Sequence, residues 1–371
     1  MRDAPTLRAI VATKLVMPSR SAERGFRSRA RFRSALRRAT WLGNVRPVSH
    51  ALRNRRVVVT RRLPDAVETR LAECFDAVLN VDDEQLTPRE LAGAARDADG
   101  LLATVTDQLD ATMFADVPPR LGIVANFGVG HNHIDLVAAR SAGVVVTNTP
   151  DVLTDDTADL AMTLMLMAAR RAGEGERHVR SGAWTGWRPT HMLGARLTGA
   201  TLGIVGMGRI GLAVAHRAHA GFGMRVLYYQ PNPIALDGLD AAPCASLEEL
   251  LAASDVVSIH CPATPQTRDL IDAQALACMR PGAILVNTAR GDVIDESALV
   301  TALRSGRLAG AGLDVYPNEP YVHPDLLGLE NVVLLPHLGS ATLESRVAMG
   351  MRAVDNLVAF FSGDVPNDQV N

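Results

Sequence analysis

The stretch T-L-G-I-V-G-M-G-R-I-G, residues 201–211, decides the fold of this chain. Its apolar first half predicts a β-strand over Leu202–Val205. We expect a helix directly after it, because apolar residues recur there at helical spacing: Ile210, Ala213, Val214 and Ala218. A G-x-G-x-x-G motif between a strand and a helix is typical of a dinucleotide-binding turn, whereas the same letters without that context are a weak signal.

Each glycine of the motif has its own physical reason to be glycine. Gly206 permits the tight turn, Gly208 lets the backbone approach a pyrophosphate, and Gly211 lets the helix pack close to the sheet. The pyrophosphate would lie at the helix N-terminus, beside Arg209 and Ile210, where unpaired N–H groups and the helix dipole favour an anion. The motif therefore predicts a site for NAD or NADP. The alternative is a glycine-rich turn that holds no ligand.

The next strand, predicted over Arg225–Tyr229, bears on the choice between these two cofactors. In NAD-binding turns an acidic residue at the end of this strand holds the adenosine ribose. Gln230 stands in that place, so no carboxylate repels the 2′-phosphate of NADP. No Arg or Lys lies between Gln230 and Asp240 to attract that phosphate. The sequence therefore leaves both NAD and NADP open.

On both sides of the glycine turn, short apolar runs alternate with helical stretches, which predicts β-α-β units and parallel sheets. The second half of the chain has six strand candidates: 202–205, 225–229, 256–259, 283–286, 310–313 and 332–335. The first half has five: 57–60, 77–80, 100–103, 122–125 and 144–146. We predict an α/β fold of two doubly wound parallel-sheet domains, in which a Rossmann cofactor domain is inserted in a flavodoxin-like substrate domain.

Residues 148–152, N-T-P-D-V, interrupt this alternation and predict a domain boundary. A long helix is expected after them, from about Asp155 to Arg180. A second helix, from Ser340 to Phe361, is expected to cross back onto the first domain. We therefore assign residues 56–153 and 338–371 to the substrate domain and residues 154–337 to the NAD(P)-binding domain.

Residues 1–55 form a basic extension without a periodic apolar face, and we expect it to be disordered. Residues 1–56 hold fifteen Arg or Lys against two acidic residues, although the whole chain has a net charge of −2. Three interpretations stay open: a mitochondrial-type targeting peptide, a basic arm for nucleic acid, and a start codon assigned too far upstream. We favour the last, because Arg56–Thr60 is a plausible first strand of a complete domain.

The composition, 47% hydrophobic and 21% charged, is that of a globular protein. The longest apolar run, residues 160–169, is about half of the ~20 residues that a membrane span needs. The cysteines form no C-x-x-C pair and are expected to be buried thiols of a reducing compartment: Cys74, Cys244, Cys261 and Cys278. His131 and His133 do not have the spacing of a metal site. We expect no metal, no nucleic-acid or membrane partner, and a cytoplasmic location.

Three residues near the end of the chain carry the chemistry: Arg290 in V-N-T-A-R-G, Glu319 in N-E-P and His337 in P-H-L-G-S. A guanidinium stays charged at any relevant pH and can bind carboxylate and carbonyl oxygens together. An imidazole can supply a proton near neutral pH, and a neighbouring carboxylate stabilises its charged form. Taken singly, each residue could be structural. Together, beside a nicotinamide, they predict hydride transfer to C2 of a small 2-oxo acid.

With these motifs in place, the chain resembles the D-isomer-specific 2-hydroxyacid dehydrogenases, in particular the glyoxylate/hydroxypyruvate reductase (glycerate dehydrogenase) group. The resemblance runs from residue 56 to the C-terminus and includes N-F-G-V-G (126–130), T-N-T-P-D-V-L-T (147–154), A-R-R-A-G-E-G (169–175) and W-T-G-W-R-P (184–189). It implies that Arg290, Glu319 and His337 are catalytic. It also implies a homodimer that uses the helix after Asp155 and the loop around Trp187, and a small 2-oxo or 2-hydroxy acid as the partner molecule.

The residues around the ligands follow from the same resemblance. The N–H groups of Val129 and Gly130 are expected to bind the substrate carboxylate with Arg290, since glycines leave the backbone open. Asp314 is expected to bind the nicotinamide carboxamide. The full set of expected cofactor contacts is Gly206, Gly208, Arg209, Ile210, Gly211, Gln230, Cys261, Pro262, Thr267, Thr288, Ala289, Asp314 and Gly339.

Two other functions stay open. One is a dehydrogenase of the same fold for another small acid: a longer 2-keto acid, formate or phosphite. Glu319 argues against formate, because the formate enzymes that resemble this fold pair the histidine with glutamine. The other is a nucleotide-sensing binding protein similar to the corepressors that share this fold. For Trp184 and Trp187, packing in a core or interface and a place in a substrate pocket both stay open.

Overall fold

The computed structural model describes residues 50–115, 120–232, 234, 236 and 238–371. The expectation of a disordered extension over residues 1–49 lies outside the described residues. That expectation is wrong for the next five residues, which form a short 3-10 helix, His50–Asn54. Leu52 anchors this helix because its side chain is buried, and the carbonyl of Arg55 accepts a hydrogen bond from the N–H of Asp76 at 3.0 Å.

Five parallel strands form the first sheet, in the order β2-β1-β3-β4-β5. They are β1 (Arg56–Val59), β2 (Asp76–Val78), β3 (Gly100–Thr104), β4 (Ile123–Phe127) and β5 (Val145–Thr147). The register places Val57 opposite Gly100 and Leu102 opposite Ala125. Every residue of β3 and β4 is buried, as expected for a parallel sheet covered on both faces. The strand order is that of flavodoxin-like sheets.

Four helices lie between these strands: α1 (Asp65–Cys74), α2 (Pro88–Asp97), α3 (Ala111–Ala115) and α4 (Leu136–Ser141). Helix α2 begins with a capping box. Thr87 Oγ1 accepts a hydrogen bond from the N–H of Glu90, and the Glu90 carboxylate accepts one from the N–H of Thr87 at 2.8 Å. Both helices turn apolar residues inward: α1 buries Val67 and Leu71, and α2 buries Leu91 and Ala95.

Seven parallel strands form the second sheet, in the order β12-β11-β10-β9-β6-β7-β8. They are β6 (Thr201–Val205), β7 (Arg225–Tyr229), β8 (Ala241–Pro243), β9 (Val256–Ile259), β10 (Ala283–Asn287), β11 (Leu308–Leu313) and β12 (Val332–Leu334). The prediction of six strands missed β8. That strand has three residues, ends in Pro243 and is largely exposed, so no apolar run marks it. The order is that of Rossmann sheets, and its switch point lies between β6 and β9.

The helices of this half are α5 (Thr154–Ala169), α6 (Ala172–Arg180), α7 (Arg209–Phe222), α8 (Leu247–Ala253), α9 (Ala273–Cys278), α10 (Glu296–Arg304) and α11 (Pro324–Leu327). The single long helix that was expected from Asp155 to Arg180 is therefore wrong. Arg171 lies between α5 and α6 in the left-handed region, with φ 52°. The carbonyl of Ala169 accepts from the N–H of Ala195 at 2.8 Å, so a neighbouring segment satisfies the last turn of α5.

The final helix, α12 (Leu343–Phe361), packs against α1 and β4, as the expected crossing to the first sheet requires. It begins three residues after the predicted Ser340, because Thr342 caps it by accepting from the N–H of Ser345 at 3.1 Å. Gly350 allows the close approach, since a Cβ there would overlap the side chain of Val67. Helix α5 packs on β10, β11 and α7 of the second sheet. The exact domain bounds, 56–153, 154–337 and 338–371, stay a prediction.

Candidate active site

Loops from both sheets bring the predicted residues to one cleft. Arg290 follows β10, Glu319 follows β11 and His337 follows β12, so all three come from the carboxyl ends of neighbouring parallel strands. The loop after β4 of the first sheet meets them there, because Nε of Arg290 donates to Oδ1 of Asn132 at 2.9 Å. The cleft between the two sheets is therefore where a substrate would meet these side chains.

His337 and Glu319 form a hydrogen-bonded pair. Nδ1 of His337 lies 2.7 Å from Oε2 of Glu319, and Oε1 accepts from the N–H of Tyr316 at 3.1 Å. Burial raises the pKa of Glu319, but His337, the Tyr316 N–H and the charge of Arg290 outweigh burial and lower this pKa below its usual value. The carboxylate is therefore ionised at neutral pH and can stabilise an imidazolium. With Nδ1 engaged, Nε2 is the ring nitrogen left for a substrate.

Asp314 holds the loop that carries His337. Its buried carboxylate accepts from the N–H groups of Leu338 at 2.7 Å and Gly339 at 2.8 Å, and its carbonyl accepts from the N–H of His337 at 2.9 Å. These bonds keep His337 in the left-handed region, with φ 56°, which residues with a side chain adopt only when their surroundings hold them there. Burial raises the pKa of Asp314. Its contact with a nicotinamide carboxamide stays a prediction.

Arg290 is fixed on several sides. Its Nη1 donates to the carbonyl of Ala289 at 2.7 Å, and its Nε donates to Asn132. A Cβ on Gly130 would overlap Nη2, so a glycine is needed where the guanidinium passes. Burial lowers the pKa of Arg290, yet an arginine starts so high that it stays charged. The site thus holds a fixed cation beside the loop that was predicted to bind a carboxylate.

That loop, residues 127–131, leaves two N–H groups available because its carbonyls are held by side chains. Nδ2 of the buried Asn126 donates to the carbonyls of Gly128 and Gly130, both at 3.0 Å. Nδ2 of Asn148 donates to the carbonyl of Val129 at 2.9 Å. Within the described residues, no acceptor takes the N–H groups of Val129 and Gly130. Successive unpaired N–H groups of this kind suit an anion.

His133 forms a hydrogen bond with Asn126, the residue that holds the carbonyls of this loop. Its Nε2 lies 3.1 Å from Oδ1 of Asn126, and because the Asn126 amide donates elsewhere, Nε2 must be the donor. Nδ1 of His133 is buried and has no partner in the described part of the chain. Burial, with the charges of Arg290 and His131, lowers the pKa of His133 to about 4, so the ring is neutral at pH 7. No group of three or more His, Cys, Asp or Glu among the described residues could hold a metal ion.

The glycine motif has the geometry that a dinucleotide requires. Gly206 has φ 91°, and a Cβ there would lie 2.7 Å from the backbone N of Cys261. A Cβ on Gly211 would overlap the carbonyl of Gly206. At Gly208, by contrast, nothing lies within 4 Å of the Cβ position, and no side chain caps the helix that begins with Arg209 and Ile210. Open space above an uncapped helix N-terminus fits a pyrophosphate.

Two side chains beside this turn were predicted to contact the cofactor. Nε of Arg209 lies 2.6 Å from Oδ1 of Asp151, so this arginine is paired with a carboxylate of the segment between the sheets. Oε1 of Gln230 accepts from the N–H of Met207 at 2.9 Å, which ties the end of β7 to the glycine turn. Gln230 therefore has the position expected for a ribose-binding residue but carries no charge.

The loop after β9 holds three further predicted contacts. Cys261 abuts Gly206, and burial raises the pKa of its thiol to about 11, so it is not a thiolate near neutral pH. Thr267 Oγ1 donates to the carbonyl of Pro262 at 2.7 Å and accepts from the N–H of Thr264 at 2.8 Å, which closes the loop on itself. The loop therefore lies beside the glycine turn, as a cofactor contact requires.

Thr288 and Ala289 lie on the loop after β10, directly before Arg290 in the sequence. Thr288 Oγ1 is buried and has no hydrogen-bond partner in the described residues. The N–H of Ala289 donates to Oδ1 of Asn287 at 2.9 Å. Gly339, the last predicted contact, is fixed by Thr157, whose Oγ1 donates to the Gly339 carbonyl at 3.0 Å. An unpaired hydroxyl and the open turn at Gly208 both fit a bound dinucleotide.

Trp184 and Trp187 do not pack into a core, because their side chains are 52% and 81% exposed. The core alternative is therefore wrong, while the interface and substrate-pocket alternatives stay open.

Three asparagines of the site were absent from the prediction: Asn126, Asn132 and Asn148. Asn126 had one signal, since it is the polar residue at the end of an otherwise apolar strand. Asn132 had none, because its partner Arg290 is 158 positions away in the sequence. Its role is visible only when the two sheets are placed side by side.

Comparisons with known proteins agree with this geometry. Residues 162–339 match the family model described as "D-isomer specific 2-hydroxyacid dehydrogenase, NAD binding domain". The chain is 45% identical to a glyoxylate reductase of Thermococcus onnurineus over 324 residues, which are 85% of this chain and 96% of the relative. It is 47% identical to a glyoxylate reductase of Aeropyrum pernix over 325 residues, with the same coverage of 85% and 96%.

A solved structure is similar over a comparable share of the chain. It is an NADPH-dependent glyoxylate/hydroxypyruvate reductase of Sinorhizobium meliloti in complex with NADP and malonate. The chain shares 38% identity with it at a TM-score of 0.75, over 85% of this chain and 96% of that one.

Proposed function

Since this chain belongs to the D-isomer-specific 2-hydroxyacid dehydrogenase family, we propose that it reduces small 2-oxo acids with NAD(P)H, hydroxypyruvate to the D-2-hydroxy acid and glyoxylate to the achiral glycolate. The observation that carries the proposal is the pair of His337 and Glu319, 2.7 Å apart, in the same cleft as Arg290. A proton donor, its carboxylate and a fixed cation are the groups that the reduction of a 2-oxo acid needs.

The substrate carboxylate binds to the N–H groups of Val129 and Gly130 and to Arg290. The two N–H groups are unpaired within the described residues, and the guanidinium lies against Gly130. An arginine binds a carboxylate with two parallel hydrogen bonds, which orients the acid as well as attracting it. This placement turns C2 and its carbonyl oxygen toward His337.

His337 supplies the proton. As hydride reaches C2, the carbonyl π electrons move to the oxygen, and Nε2 of the imidazolium gives that oxygen its proton. Glu319 stabilises the imidazolium before the transfer, and its own low pKa keeps it from taking the proton. Asp314 holds the His337 loop during this step through Leu338 and Gly339.

The glycine turn would hold the dinucleotide, which supplies the hydride when bound. Its pyrophosphate would lie on the first turn of α7 above Gly208, and Gln230 would face the adenosine ribose. A neutral Gln230 neither repels nor attracts a 2′-phosphate, so we propose that the chain accepts both NADH and NADPH.

A homodimer formed through the loop around Trp187 is a further part of the proposal. Trp187 and Leu193 are 81% and 67% exposed, and neighbouring exposed apolar side chains often mark an interface. Within the described residues, no helix is both long and apolar enough to span a membrane. The cytoplasmic location stays a prediction.

The test is the initial rate of NADPH and NADH oxidation with glyoxylate and with hydroxypyruvate. The wild-type protein should turn over at least one acid. His337→Ala should lose about 10²- to 10⁴-fold in kcat, as expected for removal of a general acid. Arg290→Ala should lose about 10²- to 10³-fold in kcat/KM, because it removes a charged donor at the reacting acid.

Two variants serve as matched controls. His216 lies exposed on α7, and Arg304 pairs with Asp325 outside the cleft. His216→Ala and Arg304→Ala should keep the wild-type rates. Full activity in His337→Ala would contradict the proposed mechanism. A wild-type protein that binds cofactor yet reduces no 2-oxo acid would favour the binding-protein alternative.

A further inference from the structure

We infer that Asn132 is a positioning residue that fixes Arg290 relative to the carboxylate-binding loop. The inference rests on the proposed function, in which Arg290 binds the substrate. It concerns a side chain that does not touch the reacting atoms and acts only through the guanidinium.

The hydrogen bonds of Arg290 define the orientation of its guanidinium plane. Nη1 is held by the Ala289 carbonyl at 2.7 Å, which lies on the same loop as Arg290 itself. Nε is held by Oδ1 of Asn132 at 2.9 Å, which lies on the first sheet. Nη2 rests against Gly130. Because a guanidinium is planar and rigid, two bonds on different edges fix both its position and its tilt.

The bond to Asn132 also joins the two halves of the carboxylate site. Asn132 is two residues after Gly130, on the loop whose N–H groups would receive one side of the carboxylate. Arg290 would receive the other side, but it belongs to the second sheet. Without the Asn132 bond, the Ala289 carbonyl would be the only hydrogen-bond acceptor of the Arg290 side chain among the described residues. It lies on the same loop as Arg290, so no hydrogen bond would tie the guanidinium to the first sheet.

Asn132 performs this role without neutralising the cation. Among the described residues Arg290 forms no ion pair within 4.0 Å, and the acidic groups whose charge acts on it, Glu319 and Asp292, are more distant. A neutral amide oxygen orients the guanidinium and leaves its charge for the anionic substrate. A carboxylate at the same position would keep the orientation and weaken the attraction for the acid.

Two variants separate the acceptor from the shape of the side chain. Asn132→Leu keeps the size and removes the acceptor, and Asn132→Asp keeps the acceptor and adds a charge. With saturating NADPH and varied hydroxypyruvate, Asn132→Leu should lose about thirtyfold in kcat/KM, with kcat and KM both affected, because a displaced cation fits the transition state poorly. Asn132→Asp should restore kcat to within about threefold of wild type and raise KM a few-fold.

Asn80→Ala is the matched control. Asn80 also bonds loop carbonyls on the first sheet, those of Thr60 and Glu84, but it has no contact with Arg290. This variant should change the melting temperature and leave kcat and KM unchanged. Equal kinetics in Asn132→Leu and wild type would overturn the inference, and so would equal losses in the Leu and Asp variants.

A second measurement keeps this inference separate from the proposed function. Absence of turnover in the wild type would contradict the proposed function alone. Calorimetric titration of the NADH-loaded protein with oxalate then tests Asn132 directly. The inference predicts about tenfold weaker oxalate binding in Asn132→Leu than in wild type, and equal binding would overturn it.

Discussion

Two loops of this molecule are built to receive an anion, and they obtain their donors in different ways. The glycine turn after β6 uses the N-terminus of α7, where the helix itself leaves N–H groups unpaired. The loop after β4 has no helix directly behind it, since α4 begins only at Leu136. Its N–H groups are available because Asn126 and Asn148 hold the carbonyls. One site depends on the absence of side chains and the other on two amide side chains.

The difference predicts how each loop should fail. The glycine turn should fail when a side chain fills the space that the ligand needs. The β4 loop should fail when the side chains behind it are removed or when Arg290 is displaced. Cofactor binding and substrate binding should therefore be separable by single substitutions.

The largest effect is expected for Gly130→Ala. The new Cβ would overlap Nη2 of Arg290, and the flexible arginine would give way before the backbone does. A displacement of about 1 Å in such a group costs about 10²-fold, so kcat/KM for the 2-oxo acid should fall by roughly that factor. NADPH affinity, measured by fluorescence titration, should stay at the wild-type value. A loss of NADPH affinity would show that the two loops are not independent.

Gly208→Ala should do the reverse. The Cβ meets nothing within 4 Å in the protein itself, and the glycine does not have a positive φ. The melting temperature should therefore be unchanged or slightly higher, because alanine restricts the unfolded chain. The Kd of NADPH should rise about thirtyfold, equivalent to about 2 kcal/mol, because the methyl group occupies the pyrophosphate space. Unchanged NADPH affinity would show that the pyrophosphate does not bind at this turn.

Asn126→Ala tests the side-chain support of the β4 loop. It leaves the Gly130 carbonyl and the Nε2–H of His133 without partners, while the Gly128 carbonyl keeps the N–H of Thr149 at 3.0 Å. Each unpaired group costs about 1–3 kcal/mol when it is buried, so the two together should lower the free energy of unfolding, measured in urea, by about 2–6 kcal/mol. KM for the acid should rise about tenfold. Asn148→Ala, which releases only the Val129 carbonyl, should cause a smaller rise.

Gln230→Asp tests whether Gln230 sets the preference between NADH and NADPH. The carboxylate should repel a 2′-phosphate. The ratio of kcat/KM for NADH over NADPH should rise at least about fivefold, which corresponds to about 1 kcal/mol. KM for hydroxypyruvate should not change. An unchanged cofactor ratio would place the adenosine ribose elsewhere.

A different effect, on stability and not on ligand binding, is the pH dependence that His133 contributes. Its pKa is lowered from 6.5 to about 4. Between pH 4 and pH 6.5 the imidazole is therefore protonated in the unfolded chain and neutral in the folded one. Stability contributed by the neutral ring is complete above pH 6.5 and falls by about 3 kcal/mol as the pH drops to 4. His133→Gln should flatten this part of the pH profile in urea unfolding. If the free energy of unfolding changed with pH equally in both proteins, His133 would not be the cause of the pH dependence.

The same comparison explains what the sequence could predict. The glycine turn is local, so its spacing, the strand before it and the helix after it are all adjacent in the chain, and the structure places them as expected. Arg290, Glu319 and His337 were recognisable from short motifs, and the parallel strands bring them to one edge.

The rest depends on contacts between distant residues. The end of α5 at Ala169 is accompanied by a hydrogen bond from the distant N–H of Ala195 to the Ala169 carbonyl. Strand β8 has only three residues and no buried one, so no apolar run predicts it. The partnership of Asn132 with Arg290 links two sheets that the chain builds separately. None of these features has a local pattern. Oligomeric state, location and the residues before 50 stay predictions.

The position of deuterium after reduction tests whether hydride passes from the nicotinamide to C2 of the substrate. The protein would be incubated with hydroxypyruvate and with NADPH that carries deuterium at both C4 positions of the nicotinamide, and the product would be analysed by proton NMR and chiral chromatography. We expect D-glycerate with deuterium at C2, formed at least about a hundredfold more slowly by His337→Ala at the same protein concentration. Glycerate without deuterium at C2, or the L-isomer, would contradict this expectation.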